Sequence, residues 1–272
     1  MPISVLHNAA AVASANRLGE TRESLQSTLG RVASGSRINE SAADTAGAAV
    51  SVNLNAKASS TLAAIRNARD GQSMIQVSEA ALDETANIIE RLRELAVQSS
   101  SGTLEDGERA YVSAEFNKFV NEIKRISQNG KFNDQTVVTG ETYGVHVGTG
   151  GDSIDDTIRI TTADIKTLYT GLSVVSIADA SDARTGLGRI DIVLDLLNKE
   201  RSRMGALHNR LDNAISHAHA SHENLRAASS RIEDADFASE TAKMTALKVK
   251  QQAGMAALSQ ANQLPATVID LI

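Results

Sequence analysis

Proline is confined to the two ends of this chain, at Pro2 and Pro265. Because an interior proline removes a helical hydrogen bond and clashes with the preceding turn, its absence leaves very long helices open to the segment between these two positions. The apolar residues of that segment have a regular helical spacing. From Ile190 to Ile232 they recur in alternating steps of three and four, which is the spacing of a coiled-coil seam.

A second stretch with the same spacing lies earlier in the chain and predicts a helix from about Thr45 to Gln98, with local softening at Gly71. Two such helices can bury their apolar stripes against each other. The predicted inter-helix seam consists of Leu54, Ile65, Ile75, Leu82 and Ile89 on the first helix and Ile190, Leu194, Leu197, Met204, Leu211, Ile215, Leu225 and Ile232 on the second.

The composition agrees with narrow helical seams and opposes several functional classes. Hydrophobic residues make up 42% of the chain but aromatic residues only 3%, so the core must be built from aliphatic side chains. The net charge of −6 is spread along the sequence, which argues against a nucleic-acid partner and against an anionic membrane surface. There is no cysteine, and no apolar stretch of the roughly 20 residues that a membrane span needs.

The middle of the chain has a different texture. After the predicted helix ends in the run Ser99 to Thr103, a shorter amphipathic helix follows and stops at Asn129-Gly130. From Phe132 to about Ala180 the sequence is rich in Thr, Val and Gly, and two alternating runs, residues 142–147 and 157–161, predict a small antiparallel pair of strands.

The two ends of the chain carry thin apolar stripes among Ala, Asn, Gln and Ser. Isolated helices of this kind are marginal in water, so we expect the N- and C-terminal helices to pair with each other or with neighbouring subunits. The fold class predicted is mainly α: a long antiparallel helical hairpin, or coiled-coil rod, with a small β insertion near its turn. The stripe residues are Leu18, Leu25, Leu29 and Val32 at one end and Met244, Leu247, Leu258 and Val268 at the other.

Several motifs, in order along the chain, resemble the signature sequences at the two ends of bacterial flagellins. They cover nearly all of the sequence outside the β insertion. The N-terminal matches are RVASGSRIN (31–39), AADTAG (42–47), RNARDG (66–71) and ERLRELAVQ (90–98); the C-terminal matches are RIEDADFASE (231–240), QQAG (251–254) and QANQ (260–263).

The resemblance implies a subunit that polymerises with itself, and with sibling flagellins, into a thin extracellular flagellar filament used for swimming. It also implies export through the flagellar type III channel without a cleaved signal peptide, and an export chaperone, a cap protein and junction proteins as partners. Residues 1–44 and 233–272 would form the inner-tube helical domain. Residues 45–180 would form the first helices and β hairpin of the outer domain, and residues 181–232 its return helix.

The resemblance also indicates a contact surface at Arg91, Leu95 and Glu115. In similar flagellins the matching residues contact the vertebrate Toll-like receptor that senses flagellin. Arg91 and Leu95 are four residues apart, so a helix places them on one side. The alternative is that these residues pack between protofilaments, and one surface could serve both purposes because the receptor would meet only monomers.

Two further alternatives are open at the level of sequence. A hook-filament junction protein of the flagellum shares terminal helices of this kind and is the nearest competing function. The histidines His217, His219 and His222 beside Glu223 lack the His-Glu-x-x-His order of zinc proteases, so we expect solvated side chains there and no metal. No catalytic triad or cofactor-binding loop is recognisable, and we therefore expect a non-enzymatic protein without a cofactor.

Overall fold

A computed structural model describes residues 8–40, 42–151 and 154–269, with side chains described as far as residue 263. Helices account for most of this part of the chain, and four short strands lie together in the middle. In chain order the elements are α1 (Ala9–Ser34), α2 (Thr45–Ser99), α3 (Asp106–Asn129), β1 (Lys131–Phe132), β2 (Gln135–Thr136), β3 (Thr142–His146), β4 (Thr157–Thr161), α4 (Ile165–Ser173), α5 (Ala180–Glu233) and α6 (Phe237–Ile269).

The chain divides into two compact units. The terminal unit consists of Met1–Ala56 together with Asn224–Ile272, and the central unit of Lys57–Glu223. The predicted fold class, mainly α with long antiparallel helices, a small β insertion and paired terminal helices, is confirmed. The assignment of residue ranges to inner and outer filament domains remains a prediction.

Within the central unit, α2 and α5 run antiparallel. Polar pairs join the two helices at three levels along their length. From one pair to the next, the residue number falls on α2 by as much as it rises on α5. This uniform register is what two seams with the same three-four spacing produce when they face each other. The pairs are Arg93–Asp191 at 2.9 Å, Asp83–Arg201 at 2.7 Å and Gln72–Asp212.

The core of the central unit is aliphatic and lies between α2, α5, α3 and the β insertion. Apolar residues on α3 recur at the helical period and form one buried face, through which this helix packs against the rest of the central unit. Phe116 is the largest fully buried side chain, while the others are mostly Ile, Leu and Val. The buried residues of α3 are Arg109, Val112, Phe116, Val120, Ile123, Ile126 and Ser127.

The β insertion contains two separate antiparallel pairs. Strands β3 and β4 pair from Thr142 with Thr161 to His146 with Thr157, as the alternating runs predict. Ile158 and Ile160 of β4 are buried in the core. The sequence did not predict α4, because its buried residues span barely two turns and follow the second predicted strand within a stretch rich in Thr, Val and Gly. These buried residues are Ile165, Leu168 and Leu172.

Helix α2 runs through Gly71 without interruption, and local softening there stays a prediction. The reason for a glycine is packing against the β insertion. A Cβ atom at this position would lie 3.0 Å from Ile160 Cδ1 and 3.1 Å from Val145 Cγ2, which is closer than ordinary van der Waals contact. The missing side chain allows β3 and β4 to approach the helix.

The two-residue turn between β1 and β2 holds non-glycine residues at positive φ, with Asn133 at 48° and Asp134 at 63°. A turn with both central residues at positive φ favours Asn-Gly. We expect Asp134→Gly to raise the free energy of unfolding of the central unit by about 0.5 kcal/mol, since glycine adopts this conformation without steric cost. Asp134→Ala should lower it. Denaturant unfolding of both variants tests this, and a glycine variant no more stable than the alanine variant would contradict it.

Candidate assembly and contact surfaces

The terminal unit is built on the antiparallel pair of α1 and α6. At one end, Asn8 Nδ2 donates to the Ala261 carbonyl at 2.7 Å, and the Asn8 side chain also caps α1 by accepting from the Ala11 N–H. Further along, a Cβ atom on Gly254 would lie 3.3 Å from Leu18 Cδ1, so the two helices approach closely there. The sequence thus pairs its two ends within one subunit.

An ion pair holds the other end of this helix pair. Arg31 Nη2 lies 3.1 Å from Glu240 Oε2, and both side chains are only 17% exposed. Arg31 also donates from Nη1 to Ser27 Oγ at 2.9 Å and from Nη2 to Thr28 Oγ1 at 3.2 Å. Removing either charge would leave its partner mostly buried, so the pair sets the register of α1 on α6.

Burial along the predicted terminal stripes is thin. Leu18 and Leu25 are buried, while Leu29 is 43% exposed. The side chain of Val268 lies outside the part of the chain whose side chains are described. The remaining stripe residues are half-buried: Val32, Met244, Leu247 and Leu258.

Large apolar side chains remain exposed on the terminal helices. Val12 of α1 is 61% exposed, and Phe237 and Val249 of α6 are 56% and 60% exposed. Residues 251–263 of α6 include no charged residue. Another protein can cover segment 251–263 without burying a charge of this segment, and the exposed apolar side chains would gain from being covered, so both features suit subunit contacts.

The connections between these helices form a network of their own. Gly35 ends α1 in the left-handed conformation, with φ of 71°, which a glycine adopts without strain. The Arg37 N–H donates to the Glu233 carbonyl at 2.6 Å, and its guanidinium donates to the Ile232 carbonyl at 2.8 Å. Arg37 also pairs with Asp44 at 3.2 Å, so it links the end of α5 to the start of α2.

The hydrogen bond that Asp44 accepts from the Gly47 N–H, and then the one from Arg37, lower the pKa of this carboxyl below its ordinary value of 3.8. A lowered folded-state pKa means that Asp44 stabilises the terminal unit above pH 3.8 and that this stabilisation is lost as the pH falls through the folded-state pKa. We expect Asp44→Asn to make the unit less stable at neutral pH but less sensitive to acid.

Thermal unfolding of the parent and of Asp44→Asn, measured by circular dichroism at neutral and acidic pH, tests this expectation. Glu20→Gln, which changes an exposed carboxylate of the same unit, serves as the matched control. An Asp44→Asn variant that lost as much stability in acid as the parent would show that Asp44 does not contribute to the acid response.

The predicted seam residues fall into two groups. Most of the seam residues in the central unit are buried, and those near or within the terminal unit are half-buried. The buried ones are Ile65, Ile75, Leu82, Ile89, Ile190, Leu197, Met204 and Leu211; the half-buried ones are Leu54, Leu194, Ile215, Leu225 and Ile232.

Of the three predicted contact residues, two meet on the surface. Arg91 donates to Glu94 Oε2 at 2.8 Å and to Glu115 Oε1 at 3.0 Å, which joins α2 to α3. The hydrogen bond to Glu94 has the largest effect in raising the pKa of Arg91 above its ordinary value, and the hydrogen bond to Glu115 follows. Leu95 differs from the expectation: only 1% of it is exposed, so it packs in the core and presents no surface for contact.

Comparisons with known proteins identify similar sequences along nearly the whole chain. The profile described as the bacterial flagellin N-terminal helical region matches residues 5–142, and that of the C-terminal helical region matches residues 187–272. The chain belongs to the bacterial flagellin family. A flagellin of Halalkalibacterium halodurans is 36% identical over 98% of both chains, and Flagellin FlaB2 of Treponema pallidum is 34% identical over 98% of both.

A solved structure agrees with this family assignment. The crystal structure of Bacillus cereus flagellin is 28% identical, covers 56% of this chain and 88% of its own, and superposes with a TM-score of 0.51. Bacterial flagellin is a structural protein, and none of the described helices combines the length and apolarity that crossing a bilayer requires.

His217, His219 and His222 of α5 form no metal site with the other described residues of this flagellin chain. His217 and His219 are exposed and His222 is half-buried. His219 Nε2 lies 3.5 Å from Arg69 Nη2, a cationic neighbour that opposes metal binding. Among the described residues, no three or more His, Asp or Glu side chains gather as a metal site would require.

Sequence reasoning missed Arg109, the buried arginine of α3, which is 5% exposed. It donates from Nη1 to the Ser99 carbonyl, and from Nη2 to the Leu104 carbonyl at 3.0 Å and the Ser101 carbonyl at 3.4 Å. A cation at the C-terminal end of α2 also complements the helix dipole. The only signal in the sequence was an arginine shortly after the Ser-Gly-Thr run, which is not distinctive.

Proposed function

We propose that this chain is the subunit of a bacterial flagellar filament and polymerises with copies of itself outside the cell. Membership of the flagellin family and near full-length similarity to proteins named flagellin support the proposal. The structural observation that carries it is the exposure of large apolar side chains on α1 and α6, namely Val12, Phe237 and Val249.

The mechanism of the proposed function is assembly. In an open helical polymer each subunit presents two different surfaces that do not close into a ring. The thin burial between α1 and α6 leaves the terminal unit short of stabilising contacts, and neighbouring subunits would supply them. We infer that residues 1–44 and 233–272 line the inner tube, and that residues 45–180 and 181–232 form the outer layer.

The partners implied for such a subunit are part of the proposal. They are an export chaperone, the filament cap, the junction proteins and sibling flagellins, with export that needs no cleaved signal peptide. The hook-filament junction protein remains the alternative function. No observation on the described residues favours it over the filament subunit.

Seeded growth tests the proposed function. Purified subunits, heated and cooled to disperse existing polymers, are added to short filament seeds and followed by negative-stain electron microscopy. Long thin tubes growing from the seeds are the expected result, together with hydrogen exchange that slows in α1 and α6 on assembly. Subunits that stay monomeric beside competent seeds would favour the junction protein.

We further propose that Arg91 and Glu115 form part of a surface that the Toll-like receptor for flagellin contacts on the monomer. Their ion pair joins α2 and α3 at 3.0 Å, and both side chains are 45% exposed. Leu95 is omitted from this surface because it is buried. Packing between protofilaments remains the competing role for the same pair.

We expect the Arg91→Ala monomer to activate the receptor at least about tenfold less than the parent, since an interfacial arginine often carries more than about 1.4 kcal/mol of binding energy. A reporter-cell assay measures this. Arg125→Ala, which removes an exposed arginine paired with Glu122 on α3, is the matched control. Equal activation by Arg91→Ala and the parent would eliminate the assignment.

A further inference from the structure

The methionines of this chain differ sharply in access to solvent. Met74 and Met204 are sealed in the core of the central unit, with exposures of 5% and 0%, and Met244 is half-buried on α6. Met255 is 45% exposed. Of the methionines whose side chains the structure describes, Met255 is therefore the one that an oxidant in solution reaches freely.

Met255 also occupies a specific place on the terminal helix pair. The preceding residue, Gly254, faces Leu18 of α1 across the close approach of the two helices. One turn away on α6 stand Gln251, Gln252 and Ser259, all uncharged. The thioether thus lies on the flank of the α1–α6 seam, within the uncharged surface of residues 251–263.

We propose that Met255 is an oxidation site of the unassembled subunit, that hydroperoxides convert it to the sulfoxide, and that the sulfoxide form is excluded from the filament. The inference rests on the proposed function, because exclusion requires that the surface around Met255 be covered on assembly. It adds a modification that controls which subunits are competent to assemble.

The chemistry balances with hydrogen peroxide as the oxidant. The sulfur lone pair attacks one peroxide oxygen, a sulfur–oxygen bond forms and the oxygen–oxygen bond breaks. The proton on the transferred oxygen passes to the departing hydroxide, which leaves as water. Sulfur is oxidised by two electrons to the sulfoxide, and the peroxide is reduced by two.

Oxidation changes the exposed apolar side chain of Met255 into a strongly polar one. The sulfoxide oxygen accepts hydrogen bonds that water satisfies in the free subunit. A contact that packs against the thioether offers the sulfoxide oxygen no donor and removes that water, so the oxidised subunit binds more weakly at the filament end. Elongation by oxidised subunits should fall about tenfold or more.

Mass spectrometry of peptides from peroxide-treated subunits tests the first step. Met255 should gain one oxygen at least about tenfold faster than Met204, which is sealed, and Met255 in assembled filaments should be protected to a similar degree. Oxidation of Met255 at the rate of Met204 in free subunits would overturn the proposal, as would equal rates in free subunits and filaments.

Seeded elongation tests the consequence, with the parent, Met255→Leu and the matched control Met244→Leu each assayed before and after peroxide. Peroxide should slow the parent and Met244→Leu while Met255→Leu keeps its rate. Met255→Gln, which carries a permanent acceptor, should elongate slowly without peroxide. If Met255→Leu is slowed as much as the parent, the inference fails. If untreated parent subunits do not elongate, the proposed function itself fails, and the two failures are distinguishable.

Discussion

We expect Arg109→Met to lower the free energy of unfolding of the central unit by about 3 kcal/mol, which corresponds to a decrease in melting temperature of roughly 10 °C. The substitution keeps most of the aliphatic stem but removes the donors to the carbonyls of Ser99, Ser101 and Leu104. Buried acceptors that lose their partner carry the full cost of desolvation.

Chemical denaturation followed by far-ultraviolet circular dichroism measures the loss, and hydrogen exchange shows whether opening begins at the connection from α2 to α3. Arg125→Met is the matched control because Arg125 lies on the same helix, is exposed and pairs with Glu122 only three residues away. Its effect should stay within about 0.5 kcal/mol. If both variants lose the same stability, Arg109 does not anchor this connection.

The second large effect concerns assembly and not folding. We expect Val249→Asp to abolish growth on filament seeds, with a rate at least about a hundredfold below that of the parent, because covering the new carboxylate in a subunit contact would remove its hydration. Val249 is 60% exposed in the free subunit, so the melting curve of the monomer should be nearly unchanged.

Two comparisons make this result specific. Val249→Leu keeps an apolar side chain at the same position and should elongate seeds at close to the parent rate. Circular dichroism melting of each variant separates a folding defect from an assembly defect. A Val249→Asp subunit with normal melting and normal elongation would place this face of α6 outside the filament contacts.

The long helices and the strand pair could be predicted from the sequence because their patterns of apolar residues recur regularly. The three-four spacing on α2 and α5 extends over many turns, so single irregularities do not hide it. The β3–β4 pair was recognisable from strict alternation on both strands, and its register from Thr142–Thr161 to His146–Thr157 follows that pattern.

Two features that sequence reasoning missed, the burial of Leu95 and the packing role of Gly71, depend on a third element that packs on a pair of helices. Leu95 was predicted at a contact surface because the resemblance to flagellins indicated it and because its spacing from Arg91 puts both residues on one side of α2. In the structure it belongs to the same core as Phe116 of α3, which covers a second face. Gly71 is explained by Ile160 and Val145 of the β insertion. Spacing along one helix contains no information about such neighbours.

Strands β3 and β4 end their pairing at His146 and Thr157, which face each other directly. A segment that leaves β3 and returns to β4 therefore begins and ends at neighbouring points, whatever its length. Longer loops cost little extra closure entropy, since each doubling of length adds only about 0.6 kcal/mol. The α2–α5 ladder has no such freedom, because one added residue would shift every later pair. Changes in chain length, including fused peptides or whole inserted domains, are thus best accommodated between β3 and β4.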